Sequence, residues 1–413
     1  MLRSDRLREH PYLPQIRLLL QAAMVIFVFT VVVGILNGTD IVEFGHPTLL
    51  THVHTGTLGW ITTSVFAAAL WLFGGARKAG WRHSLARWLP PATVVMVVAY
   101  NLAFMTTSGS GRPTIGGFVL LTIIGWVAWI LASARDVVWS VPRLGIVAAA
   151  VTATTGGLLG VLLGVMIATG SSILPGEAFA SHPATMVIGF LVPVGMALSE
   201  WHLRPELLDE RAGPLGWTQI GLPFVGGLCV TVGLLADSTP LVALSLPFEI
   251  VGVGILLYRL WPGLRRVTLA EGSSSLLAAP TPLWLAVNIL MFVYLIARYA
   301  GDLGSAPVGQ ILAVDHMMFI GVMSNSLFAQ VRAASGEVRP SAVRVLFWTM
   351  NVGLAGFVVG LIFEVTILKQ ISTPIMGLGI LHGVVLFTRA LQGWGSRPAA
   401  PADARTTPGT SSN

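Results

Sequence analysis

The chain has 413 residues, of which 54% are hydrophobic and only 10% charged. A soluble domain carries about a quarter charged residues, so composition excludes a soluble globular protein and points to an integral membrane one. The net charge of +6 does not signal nucleic-acid binding, because membrane topology accounts for the basic residues; the single cysteine, Cys229, excludes an internal disulfide, a Cys-x-x-Cys-His covalent haem site and a Cys-pair copper centre.

The apolar residues come in blocks of about 20, the length of a helix that crosses a bilayer, and not in the short alternating segments of an outer-membrane barrel. Residues 1–15 read as a basic cytoplasmic segment that leads straight into span 1 at 16–37, with no cleavable signal peptide visible. Span 2, at 49–74, opens on His52-Val53-His54-Thr55-Gly56-Thr57-Leu58-Gly59-Trp60. Spans 3, 4 and 5 follow at 88–108, 115–134 and 144–170. Span 6, at 182–203, opens on His182 and continues to Gly189. Spans 7 and 8, at 217–236 and 239–262, carry Cys229 and a mid-span carboxyl, Glu249. A short polar linker is expected at Ser273–Pro282, overlapping the start of span 9 at 280–301. Span 10, at 309–331, contains Val314-Asp315-His316-Met317-Met318-Phe319-Ile320-Gly321. Span 11 covers 343–368, with Lys369 after it, and span 12, at 372–393, carries His382 near its middle. The Pro-, Ala-, Thr- and Ser-rich residues 394–413 read as a disordered cytoplasmic tail. Membrane lipid surrounds the single domain, 16–393.

Lys and Arg test the span count. Twenty-one of the 24 fall on one side, and only Arg112, Arg298 and Lys369 on the other. A wrong count would scramble this alternation, so both termini are expected in the cytoplasm of a multi-pass cell (inner) membrane protein.

Spans 2, 6 and 10 read alike when aligned on Gly59, Gly189 and Gly321. The steps are 130 (189 minus 59) and 262 (321 minus 59), which match His52 with His182 and His54 with His316. The expected fold is therefore all-α, with twelve transmembrane helices in three pseudo-repeats of four, at 16–134, 144–262 and 280–393. All four histidines would sit at one depth on three related helices. Residues two apart on a helix point about 200° apart, so His52 and His54 cannot both face one ligand. Imidazole is the commonest protein ligand for metals, including haem iron, and ionisable side chains at membrane depth are costly enough to suggest a function.

Together, the twelve spans, the threefold repeat, the histidines opening spans 2, 6 and 10, and the His-x-His-x-x-x-Leu-Gly-Trp string resemble the catalytic subunit of haem–copper oxidases. The string around His316, with Arg332 beyond it, is also similar to the NnrS family of haem- and copper-containing membrane proteins linked to nitric oxide stress. By this resemblance His54 and His316 would be axial ligands of one low-spin haem b, and His182 falls where the oxidases place a copper ligand. Lys369 falls where they place a cation for the haem propionates.

Departures from that pattern are equally informative. Span 7 has no histidine, the chain has no His-His pair, and Val314 stands where the oxidases have the high-spin haem ligand. The resemblance thus implies an oxidase-like scaffold without the standard dioxygen-reducing centre, for electron transfer or for handling a diatomic gas such as nitric oxide. If the protein is an enzyme, it would be a haem-dependent oxidoreductase. Its electrons would come from a quinol or a separate partner. Two other readings stay open: a haem-free copper or other metal protein using His52, His182 and His54, with His382 as a further candidate ligand, and a proton-coupled secondary transporter using buried His and Glu residues. A transporter would more typically show inverted or two-half symmetry. His10, His46, His83 and His202 read as surface residues, and Asp315 as a candidate orienter of an imidazole.

Overall fold

A computed structural model describes residues 9–75, 78–107, 109–175, 178–299 and 305–393. The tail expected at 394–413 and the first eight residues of the segment expected at 1–15 lie outside the described residues. Twelve helices are long and apolar enough to cross a membrane: α1 Leu13–Gly38, α2 His46–Phe73, α3 Gly80–Thr106, α4 Gly111–Asp136, α5 Val141–Thr169, α6 Ala178–Leu203, α7 Pro214–Leu235, α8 Thr239–Leu264, α9 Ser274–Tyr299, α10 Val308–Ala334, α11 Pro340–Ile362 and α12 Thr366–Gln392. Among the described residues there is no strand. The protein is an all-α integral membrane protein, as its sequence predicts.

Local chemistry sets many of the helix ends. Proline stands in the first turn of α1, α2, α5, α7, α8 and α11, where its missing N–H costs nothing. The segment Ser273–Pro282, expected as a polar linker, instead starts α9: the Ser273 hydroxyl accepts from the Leu276 N–H at 3.3 Å and caps it.

Nine helices, in the order α1, α3, α4, α5, α7, α8, α9, α11, α12, form a ring. The α9–α11 step is bridged by a hydrogen bond from Trp284 Nε1 to Asn351 Oδ1 at 2.9 Å, and α12 packs back on α1. Inside the ring stand α2, α6 and α10. Their apolar windows are 78, 83 and 67% buried, against 28–50% for the other nine, so these three are the core and the rest face lipid on one side. They touch one another through Trp60 Nε1 donating to Ser324 Oγ at 3.1 Å, Gln330 Nε2 donating to Ser64 O at 3.3 Å, and Gly195 packed on Val322. Small residues at such crossings let apolar helices approach closely in lipid, where dispersion and not hydrophobicity drives association.

The repeat appears in the backbone itself. Each inner helix contains one π-helical stretch, at Thr55–Thr62, Thr185–Leu191 and Met317–Ser324. Their starts differ by 130 (185 minus 55) and 262 (317 minus 55), the same steps that relate the histidines. The first helix of each unit meets its inner helix at a matching point. Thr30 O and Gly156 O pair with His52 Nδ1 and His182 Nδ1, and in the third unit Asn288 Nδ2 donates to Val314 O. In the second halves, Asp237 (φ 50°) and Glu364 (φ 56°) make the same left-handed turn, 127 residues apart (364 minus 237). Each is closed by a bond back across five residues, Ser238 N to Gly233 O and Val365 N to Gly360 O.

Candidate functional site

A cavity of about 760 Å³ opens between α1 and α2 of the first unit and α10, α11 and α12 of the third. That volume is in the range of ligand and cofactor pockets. Most of its wall is apolar, including Phe27, Trp60, Phe319 and Phe357. Its ionisable residues are His52, Asp315 and His316 together with Asp40, Glu43 and Lys369 from around the helix ends. The cavity lies toward the arginine-poor face, the face that carries Arg112, Arg298 and Lys369.

His52 stands in the second turn of α2 and packs across onto α1. Its Nδ1 pairs with Thr30 O at 2.9 Å, and a Cβ at Gly34 would lie 3.2 Å from its Cε1, so a side chain there would crowd the ring. His316 pairs its Nδ1 with Leu312 O on its own helix at 2.7 Å, and Phe357 stands 4.7 Å from the ring. A carbonyl only accepts, so each of these nitrogens carries the proton and each Nε2 keeps its lone pair. A carbonyl on Nδ1 fixes the tautomer and raises the basicity of a ligating histidine. Both rings line the same cavity. Asp315, expected as an imidazole orienter, lines the same cavity, but the Nδ1 of His316 goes to Leu312 O instead.

Lys369 Nζ lies 2.8 Å from both oxygens of Asp40, and Gln370 Nε2 lies 3.1 Å from one of them. The hydrogen bond from Lys369, then that from Gln370, hold the exposed Asp40 carboxyl below its usual value. Asp40 itself turns through a left-handed backbone (φ 58°) to reach them.

His54 is not part of this cavity. Its ring stacks on Phe104 at 4.3 Å, meets Tyr100 edge-on at 5.6 Å, and pairs its Nδ1 with Leu50 O at 2.7 Å. Arg112 sits 5.1 Å from the centroid of the same Phe104 ring. His182 in turn pairs its Nδ1 with Gly156 O at 2.8 Å and nestles against Gly160, where a Cβ would lie 2.8 Å from its Cε1. The structure therefore brings His52 and His316 to one cavity and leaves His54 and His182 outside it. The sequence expectation joined His54 to His316 instead. Helix geometry separates His52 from His54, but which neighbour each faces depends on how α1 seats against α2, through Thr30 and Gly34.

The remaining candidates lie elsewhere. His382 pairs its Nε2 with Ala342 O at 3.1 Å, near the arginine-rich end of α11, away from the other histidines. Among the described residues no group of three or more His, Cys, Asp or Glu side chains could share a metal ion. Glu249 is buried on α8 against Gly226, and neither of its oxygens has a hydrogen-bond partner. His202 was expected at the surface but is buried, stacked on Trp201 at 5.0 Å, with both ring nitrogens unpartnered. His83, also read as a surface residue, shares a hydrogen bond of 3.2 Å with the Tyr12 hydroxyl. His10 is enclosed beside Tyr12, and burial pulls its pKa down to about 4. Thr30, Gly34 and Asp40 escaped sequence reasoning. Their only signal is the repeat, through the parallel between Thr30 with Gly34 and Gly156 with Gly160.

No protein-family model matches this chain, and no curated protein matches it in sequence.

Proposed function

We propose that this chain is a haem-binding membrane protein of the haem–copper oxidase catalytic-subunit type, in which His52 and His316 hold one low-spin haem b. Its role would be electron transfer or the handling of a diatomic gas such as nitric oxide. One observation carries the reading: two imidazoles from different core helices face one apolar cavity, each with its Nδ1 proton tied to a carbonyl. A bare metal ion needs three or four protein donors, and no such set exists among the described residues. A tetrapyrrole brings four nitrogens of its own and asks the protein for two axial ligands. The donor set thus fits haem better than it fits copper.

His52 and His316 would hold the haem, which would supply one-electron chemistry when bound. The chain's own residues do the rest. Thr30 and Leu312 carbonyls fix the two tautomers and make both rings better donors. Phe27, Trp60 and Phe357 give the cavity apolar walls, which would lower the local dielectric and favour the less charged ferrous state. Lys369 would offer a cation to carboxylates at the mouth, a role for which it now has Asp40 as partner. An electron donor, whether quinol or a separate protein, would approach from the membrane or the arginine-poor face.

The test is an absorption spectrum with a pyridine haemochrome assay on purified protein. A red protein with sharp low-spin bands is expected, and His52→Ala or His316→Ala should each remove that chromophore. Colourless wild-type protein after expression with ample haem supply would sink the reading.

A further inference from the structure

We infer that His54 and His182 form a second bis-imidazole site, related to the first by the internal repeat, and that it holds a second haem. This rests on the haem reading of the His52–His316 cavity.

The first site is built between two units. One unit supplies His52. The neighbouring unit supplies His316, which is the counterpart of His54 (316 minus 262), and Lys369 in the first turn of its fourth helix. Stepping once around the repeat moves the boundary to that between the second unit and the first. There the counterpart of His52 is His182 (182 minus 130), the counterpart of His316 is His54 itself, and Arg112 stands in the first turn of α4. The third boundary has Val314 and Ala184 at the two histidine positions and Val242 in the first turn of α8. Two histidines and a cation are thus present as a set at two boundaries and absent as a set at the third.

Bonding follows the same rule. His52 and His182 each bond to a carbonyl on the first helix of their own unit, Thr30 O and Gly156 O, and each rests on a glycine four residues further on, Gly34 and Gly160. His316 and His54 each bond to the carbonyl four residues back on their own helix, Leu312 O and Leu50 O, both at 2.7 Å. All four rings are therefore Nδ1–H tautomers with a donor lone pair on Nε2. Each second-named ring also has an aromatic neighbour, Phe357 beside His316 and Phe104 beside His54. Arg112 holds its guanidinium 5.1 Å from the Phe104 ring centroid and donates to Phe104 O at 2.9 Å, which keeps a cation beside His54. A planar ligand that brings its own equatorial donors and carries carboxylates suits this set.

Haem counted per polypeptide in purified wild-type protein should be two. His182→Ala and His54→Leu should each lower it to about one while leaving the His52–His316 chromophore in place, and His52→Ala should remove the other one. Redox titration of the wild type, which needs no variant, should resolve two one-electron steps. One haem per chain, lost entirely in His52→Ala, would overturn the second site and leave the first reading standing. Copper bound at one per chain and released by His182→Ala with haem unchanged would also overturn it. No haem at all would defeat both readings.

Discussion

A single hydrogen-bond type recurs at the four membrane histidines near the arginine-poor face: Nδ1 to a backbone carbonyl, between 2.7 and 2.9 Å. It decides the tautomer and so decides which nitrogen can ligate. Two of these carbonyls lie on the histidine's own helix and two lie on a neighbour, so only half of the pattern could be inferred from local sequence. Asp40 and Lys369 illustrate the same limit, since residues 329 apart in the chain meet at the cavity mouth. Their pairing has a pH signature. The Asp40 pKa is depressed in the folded protein by the Lys369 and Gln370 hydrogen bonds, so its contribution is present above the ordinary carboxylate value, about 3.9. That contribution is lost as pH falls through the lower folded value. Thermal unfolding in detergent, compared for wild type and Asp40→Asn, should show a small wild-type advantage at neutral pH that shrinks only below about pH 4. An advantage that grows on acidification would contradict the pairing. The effect is small because the pair is solvent-exposed and screened.

The inner helices were legible as spans from their hydropathy, and their kinship from Gly59, Gly189 and Gly321. Their π-helical stretches were not legible, because a π turn adds one residue without changing composition. Such stretches are rare and are found mostly at functional sites. Here each begins one to three residues after a histidine and sets the angle between that histidine and the rest of its helix. The carbonyls that a π turn displaces are met by hydroxyls five residues on: Thr62 to Thr57 O, Thr63 to Leu58 O and Ser324 to Phe319 O, all at 2.9 Å. Inserting one alanine after Leu58 would add a further residue and rotate His52 and His54 by about 100° relative to Trp60 and the segment beyond it. The insertion should abolish the His52–His316 chromophore, whereas Leu58→Ala, which keeps the residue count, should retain it. If both proteins are equally red, the residue count of this segment does not aim the histidine. Gel-filtration of each in detergent separates misfolding from misaiming.

Across the whole molecule, the threefold scheme explains why the sequence could disclose the architecture yet not which histidines share a cavity. Repeat alignment relates equivalent positions in different units, while a site forms between inequivalent positions of adjacent units, so His52 aligns with His182 but faces His316. The three boundaries have diverged: two keep the imidazoles, and the third has Val314 and Ala184, with Glu249 buried on α8 nearby in sequence register to Met376 of the first cavity (376 minus 249 is 127, the step of the second halves). The four histidines share a depth because each lies near the start of α2, α6 or α10, on the arginine-poor face. The positive-inside rule assigns that face to the outside, so the mouth beside Lys369 would open away from the cytoplasm. Two exposed acidic residues report on this directly: Glu364 in the α11–α12 turn and Glu210 between α6 and α7. In a Cys229→Ser background, Glu364→Cys should react with a membrane-impermeant maleimide added to intact cells or spheroplasts. Glu210→Cys should react only after lysis. The reverse pattern would put the cavity mouth in the cytoplasm, and any electron donor for it would then have to be sought on that side.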